Sequence, residues 1–176
     1  PQGPSVLAAA ASSGHLEVVR YILGVGAWKC ASAAAEAAQA RRMVGGRLAR
    51  LHPMTCAATN GHLEVLQCLH ENGWPPGHFD IEESAAAGHI PVVRYLHTHC
   101  PPWGRDTLEA AAKAGALEMV RYLVENGCYS DPHVLDTAAA GGHLETVAYL
   151  HGRQYGWRTQ TVAIAAAGGH LALVEY

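Results

Sequence analysis

Gly61-His62-Leu63-Glu64-Val65-Leu66 returns as Gly88-His89-Ile90-Pro91-Val92-Val93, Gly115-Ala116-Leu117-Glu118-Met119-Val120, Gly142-His143-Leu144-Glu145-Thr146-Val147 and Gly169-His170-Leu171-Ala172-Leu173-Val174. Each glycine stands 27 residues after the last. A further copy, Gly14-His15-Leu16-Glu17-Val18-Val19, lies 47 residues ahead of the first, one period plus 20. A fixed period of roughly 20–50 residues marks supersecondary units that bury their apolar faces on one another and offer extended binding surfaces.

Within a unit the spacing predicts two short helices. Asp131-Pro132-His133 reads as a helix start, with a capping residue and a proline near the first turn. Val134 to Ala140 follows as an alanine-rich helix, called A, and Gly141-Gly142 ends it because glycine accepts a left-handed C-terminal residue. His143 to His151 is the second helix, B, with Val147, Tyr149 and Leu150 at helical spacing. Helices this short are unstable alone in water, so the stack is the unit of stability. The layout repeats over 5–26, 53–76, 77–103, 104–130, 131–157 and, truncated, 158–176. With 27–52 counted as a degenerate unit, about fourteen helices and essentially no strand are expected.

Composition narrows the class. Apolar residues make up 49% of the 176, much of it alanine, with a single Phe and a net charge of −3, which argues against disorder. No apolar run approaches a membrane span, and no signal peptide is evident. Five cysteines, an odd number in a chain this long, suit free thiols in a reducing compartment, so an intracellular and first of all cytoplasmic location is expected. Pro1 is not an initiator methionine and Tyr176 falls in the slot of Tyr95, Tyr122 and Tyr149, so the sequence reads as a piece of a longer protein.

The phrase Ala-Ala-x-x-Gly-His, at Ala10-Ala11, Ala57-Ala58, Ala138-Ala139 and Ala165-Ala166 with their following Gly-His pairs, resembles the ankyrin repeat family. His52-Pro53-Met54-Thr55 keeps part of the family's Thr-Pro-Leu-His opening. Leucine-rich repeats fit less well, since no ladder of alternating leucines with Asn or Cys is present, and tetratricopeptide repeats miss the period. The resemblance implies an all-α, ankyrin-like solenoid of stacked antiparallel helix pairs. Its period of 27 instead of the usual 33 takes residues from the link before each A helix, where the family builds β-hairpin fingers, so fingers are not expected.

Ala31 to Ala40 looks like an A helix with Ser32 as cap, Arg41-Arg42 replaces Gly-His, and 43–51 reads as a stunted B helix. A single long helix kinked at Gly45-Gly46 is the rival reading.

Periodicity also deflates the chemistry that twelve histidines invite. His15, His62, His89, His143 and His170 follow the turn glycine; His70, His97 and His151 end B helices; His52 and His133 open A helices; only His78 and His99 are off-register. The turn histidine is expected to donate to backbone near its turn, since site residues are rarely copied through every repeat. His97-x-His99-Cys100, with Cys128 a repeat on, matches no zinc spacing. No nucleophile elbow, phosphate loop or dinucleotide fingerprint occurs. Glu82-Glu83 reads as helix N-terminal acids, and Glu17–Arg20 and Glu118–Arg121 as surface pairs. No catalytic residue, metal or cofactor is assigned.

The inter-repeat links carry Trp28, Trp74, Trp103, Tyr129 and Trp157, either packing over the groove left by absent fingers or forming a row of anchors for a partner. Arg41, Arg42, Arg47 and Arg50 set four positive charges within ten residues, either a solvated face or a knob for an acidic protein or phosphate backbone. The resemblance adds that A helices and the loops before them line a concave binding surface. By slot this implies Thr59, Asn60, Glu83, Lys113 and Thr137, with the loop residues Arg105, Asp106, Asp131, Arg158 and Gln160. The expected function is a non-catalytic scaffold for protein partners, with no membrane role and nucleic acid only weakly supported. One rival is a structural subunit of a large assembly, ribonucleoprotein included, docked through the arginine segment. Another is a regulatory segment of a larger enzyme.

Overall fold

The computed structural model describes residues 4–24, 52–99, 104, 106–128, 131 and 133–176. Among them it forms twelve α-helices and no strand. These are α1 (Pro4–Ser12), α2 (Leu16–Gly24), α3 (Pro53–Thr59), α4 (Leu63–Glu71), α5 (His78–Ala86), α6 (Ile90–His99), α7 (Thr107–Ala114), α8 (Leu117–Glu125), α9 (Val134–Ala140), α10 (Leu144–Gly152), α11 (Thr159–Ala167) and α12 (Leu171–Glu175). The pairs follow the 27-residue period, and the expected remainder of fourteen falls on 27–52, outside the described residues.

The chain divides into two compact units: one runs to Ser84 and resumes at Pro91, the other holds Ala85–Ile90 and the residues from Trp103 onward. In the first, α1 packs on α3 and α2 on α4. The helix pairs at 4–24 and 52–74 therefore pack directly on each other. In the second, α9 lies between α7 and α11, and α8 packs on α10.

Small side chains set how closely the A helices approach. Ala57, Ala58, Ala111, Ala112, Ala138 and Ala139 are fully buried, each giving a neighbour access almost to the backbone. The B helices supply bulk: Val65, Leu66 and Leu69; Met119, Val120 and Leu123; Val147 and Leu150. Burying one such side chain is worth about 1.5–3 kcal/mol, and helices of five to ten residues depend on it. The links Trp74–Gly77 and Tyr155–Arg158 run without strand, so they form no finger.

The Gly-His turn is a clasp between layers. Gly142 takes φ +75, and the His143 N–H donates to the Ala138 carbonyl at 3.1 Å, closing helix α9. The imidazole then reaches backwards. Nε2–H of His62, His143 and His170 donates to the carbonyls of Ser12, Lys113 and Ala140 at 3.0, 3.0 and 3.1 Å. The sequence reading expected backbone near the turn; the acceptor is instead the end of the preceding layer's A helix. His62 makes this bond across the irregular insertion, as its regular counterparts do elsewhere.

The B helices end on a left-handed residue too: Gly73 (φ +87), Gly127 (φ +77) and, in the same slot, Gln154 (φ +67). Gln154 is the described non-glycine residue at positive φ, and its Cβ is crowded there. Gln154→Gly is expected to stabilise the chain by about 1 kcal/mol, read as a rise in the thermal midpoint; an unchanged or lower midpoint would refute the strain.

Candidate partner-binding surface

Several polar side chains assigned to a binding face serve the stack as well. Thr59 is half-buried and donates Oγ1–H to the Thr55 carbonyl at 2.8 Å. Asn60 is exposed, and its Nδ2 donates to the Cys56 carbonyl at 2.8 Å and Ser12 Oγ at 3.2 Å. Glu83 is half-buried. Thr137 donates Oγ1–H to Glu109 Oε1 of the preceding layer at 3.0 Å. Asp106, Lys113 and Gln160 are exposed. Arg41, Arg42, Arg47, Arg50, Arg105 and Trp103 lie outside the described residues.

Asp131 and Arg158, from successive links, are brought together around His133. His133 Nε2 lies 3.6 Å from Asp131 Oδ1, and Arg158 Nη1 lies 2.9 Å from His133 Nδ1. Beneath them is Asp136, only 6% exposed, which accepts the Thr161 hydroxyl and stands 3.3 Å from His133 Nδ1 and 4.0 Å from Arg158 Nη1. Guanidinium always donates, so His133 Nδ1 accepts where it faces Arg158. An exposed cluster of alternating charge thus rests on a buried carboxylate.

Two buried aspartates were missed in the sequence. Asp80, 3% exposed, accepts the Thr55 hydroxyl and the Gly77 N–H, both at 2.7 Å. Asp136 and Thr161 repeat that bond with donor and acceptor exchanged between layers. The available signal was a Thr–Asp pair 25 residues apart, two short of a period. A buried carboxylate survives only with such donors. Asp80 also corrects the reading of Glu82-Glu83: the helix begins at His78, so Asp80 occupies its first turn and the glutamates lie further along. The surface pairs stand, at 3.3 Å for Arg20–Glu17 and 3.8 Å for Arg121–Glu118. Both are exposed and worth little.

Trp74 is no partner anchor. It is fully buried and meets the His52 ring edge-on at 5.3 Å. Its backbone N–H donates to the Leu69 carbonyl as those of Cys128 and Tyr155 donate to Leu123 and Leu150, so its slot faces the core. Trp157, in a different slot, is half-buried against His151 and Tyr176 at 5.4 and 5.7 Å. Trp28 and Tyr129 are outside the described residues. The row of aromatics is therefore not one surface.

Two of the histidines that end B helices, His70 and His151, bind the next layer's tyrosine. Nδ1 shares a hydrogen bond with the hydroxyl between His70 and Tyr95 at 2.8 Å, and between His151 and Tyr176 at 3.3 Å, each 25 residues apart. Tyr149 would need its partner at 124, which is Val, and its buried hydroxyl has no hydrogen-bond partner among the described residues. Its ring instead lies between Arg121 and Arg153, each 5.3 Å from the centroid. Val124→His is expected to satisfy that hydroxyl and add about 1 kcal/mol to stability, seen in urea unfolding; no gain in a folded variant would show the register argument wrong.

No group of three or more His, Cys, Asp or Glu among the described residues is placed to hold a metal ion. His99 Nδ1 is turned to the Tyr95 carbonyl at 2.8 Å. Cys128 is sealed in the core, and burial pushes its thiol up to about 11, against a hydrogen bond with the Leu108 backbone that lowers it. It stays protonated and unreactive at neutral pH. Cys56, Cys68 and Cys128 are free thiols. No described helix is long and apolar enough to cross a membrane.

Residues 54–136 match the family profile described as ankyrin repeats (3 copies). Repeated helix pairs, Gly-His turns and this match define the class: residues 54–136 are ankyrin repeats, and the chain has an ankyrin-like α-solenoid fold. Among solved structures, the crystal structure of the human ASB11 ankyrin repeat domain superposes with a TM-score of 0.65 at 17% identity, over 97% of this chain and 82% of that one. No curated protein matches the sequence. Ankyrin repeats in general are protein–protein interaction modules, and the family is typically non-catalytic.

Proposed function

We propose that the chain is a non-catalytic, intracellular scaffold that binds a protein partner through the link residues and A-helix starts of its second unit. The observation that carries this is the Asp131–His133–Arg158 cluster: exposed charged groups from two layers, held on the buried Asp136. Rigid support lowers the entropy cost of engaging a partner. Asp106, Lys113, Thr137 and Gln160 are further contact positions, supported by their slots in the repeat. Thr59, Asn60 and Glu83 are the corresponding positions in the first unit.

The test is capture of partners by the intact protein from cell extract, followed by affinity measurement with the partner identified. Arg158→Glu is expected to weaken binding several-fold with the helical signal unchanged; unaltered affinity would overturn the placement of the surface.

Arg41, Arg42, Arg47 and Arg50 form a second proposed contact, supported by sequence alone, while Arg105 belongs with the link residues of the first. Four arginines within ten residues, with Glu36 the nearest acid in their segment, suit bidentate contact with carboxylate or phosphate. Changing Arg41, Arg42, Arg47 and Arg50 together to Ser is expected to weaken partner binding several-fold at low salt and flatten its salt dependence. Unaltered affinity and salt slope in a folded variant would make the segment a solvated surface. Salt-sensitive RNA binding lost in that variant would favour a structural subunit of a ribonucleoprotein assembly. A catalytic domain in the same natural polypeptide would favour a regulatory segment of an enzyme.

A further inference from the structure

Among the described turns, the clasp lacks its ring where Gly88 faces Ala116. Three junctions seat an imidazole between a turn glycine and a carbonyl of the preceding layer. Without a Cβ the glycine leaves room for that ring: a Cβ at Gly14 would stand 2.7 Å from His62 Nδ1, and one at Gly142 2.5 Å from His170 Nδ1. At Gly88 the next layer supplies Ala116. There a Cβ would meet only the Ala116 Cβ, at 4.0 Å, so the space is neither closed up nor filled by another group. Gly88 keeps the same left-handed conformation (φ +78) and is exposed, with Ala116 half-exposed, so the notch opens to solvent. By the 27-residue register, the carbonyl matching those of Lys113 and Ala140 is that of Ala86. Ala86, Gly88 and Ala116 all belong to one compact unit.

We propose that this notch receives the imidazole ring of a histidine presented by a partner polypeptide, with its Nε2–H donated to the Ala86 carbonyl and its ring laid on Gly88. The small residues alone would define only a gap. Their three counterparts identify the occupant, because each seats an imidazole at 3.0–3.1 Å from the matching kind of acceptor. A neutral ring with one N–H fits both a flat space over a glycine Cα and a single acceptor. The clasps sit at the C-terminal ends of A helices, whereas the His133 cluster sits at an N-terminal end, so this site stands or falls apart from that cluster.

The experiment is an amide NMR titration of the intact protein, at a pH where imidazole is neutral, with imidazole, 1-methylimidazole and Nα-acetyl-histidine methylamide. Imidazole and the histidine amide are expected to give saturable shifts centred on Gly88 and Ala116. 1-Methylimidazole, which has no N–H to donate, is expected to bind about fivefold or more weakly. Ala116→His should abolish the shifts by filling the notch from within, and Ala116→Leu provides a second block should that variant not fold. The proposal is overturned by any of three results: no saturable shift at Gly88, equal binding of 1-methylimidazole, or shifts persisting when the notch is blocked. Binding of free imidazole with exclusion of the histidine amide would overturn a partner side chain as the occupant.

Discussion

Gly142→Val is expected to cost about 2–3 kcal/mol, combining two effects of separate origin. A β-branched residue is forced to φ +75, a conformation that L side chains avoid at a cost of about 1–2 kcal/mol. Its Cβ would also stand 2.5 Å from His170 Nδ1, which displaces the imidazole from the Ala140 carbonyl and loses a hydrogen bond worth about 1 kcal/mol. Because a stack opens layer by layer, the loss should appear first as faster amide exchange in α11 and α12. The two effects separate in the His170→Ala background, where only the backbone strain remains and the cost of Gly142→Val falls. An equal cost in both backgrounds would show that the glycine serves the turn alone and that the clasp is incidental.

Trp74→Ala is expected to cost about 3–5 kcal/mol, the usual loss for a large aromatic removed from a core. The indole is fully buried, and its removal also takes away the edge contact with His52 that holds the start of α3. Urea unfolding of the variant should show a lower midpoint, while partner affinity under folded conditions stays near that of the natural sequence. A midpoint change under ~0.5 kcal/mol, or a selective loss of binding, would return Trp74 to the role of surface anchor that its place in a link suggested.

These residues mark how far the sequence could be read. Helix pairs, their boundaries at Gly141-Gly142 and the absence of fingers in the described links were legible, because glycine positions, apolar spacing and link length act within one repeat. The turn histidines were recognised as structural, since Gly115-Ala116 keeps the repeat without one. Their acceptors were not recognised, because the carbonyls of Ser12, Lys113 and Ala140 lie in another layer. The polar surface was legible in part: Asp131 and Arg158 were placed on it by slot, but Asp136, which supports them, stands among alanines and leucines and has no motif. For Trp74 the sequence leaves packing and a partner anchor both open, and only the backbone N–H closing the end of α4 and the buried ring decide for packing.

The amino-acid sequence by itself determined the period, the helical class and the turn geometry, all consequences of local sterics and of where apolar side chains recur along a short helix. Only the tertiary structure decided the register between layers: which carbonyl each imidazole reaches, which aspartate lies under which threonine, and that the helix pairs at 4–24 and 52–74 pack directly on each other. Those contacts join residues 25, 30 and 50 apart, and their partners are chosen by how one layer seats on the next. A local pattern specifies the shape of a layer, while the seating depends on all its side chains packing at once.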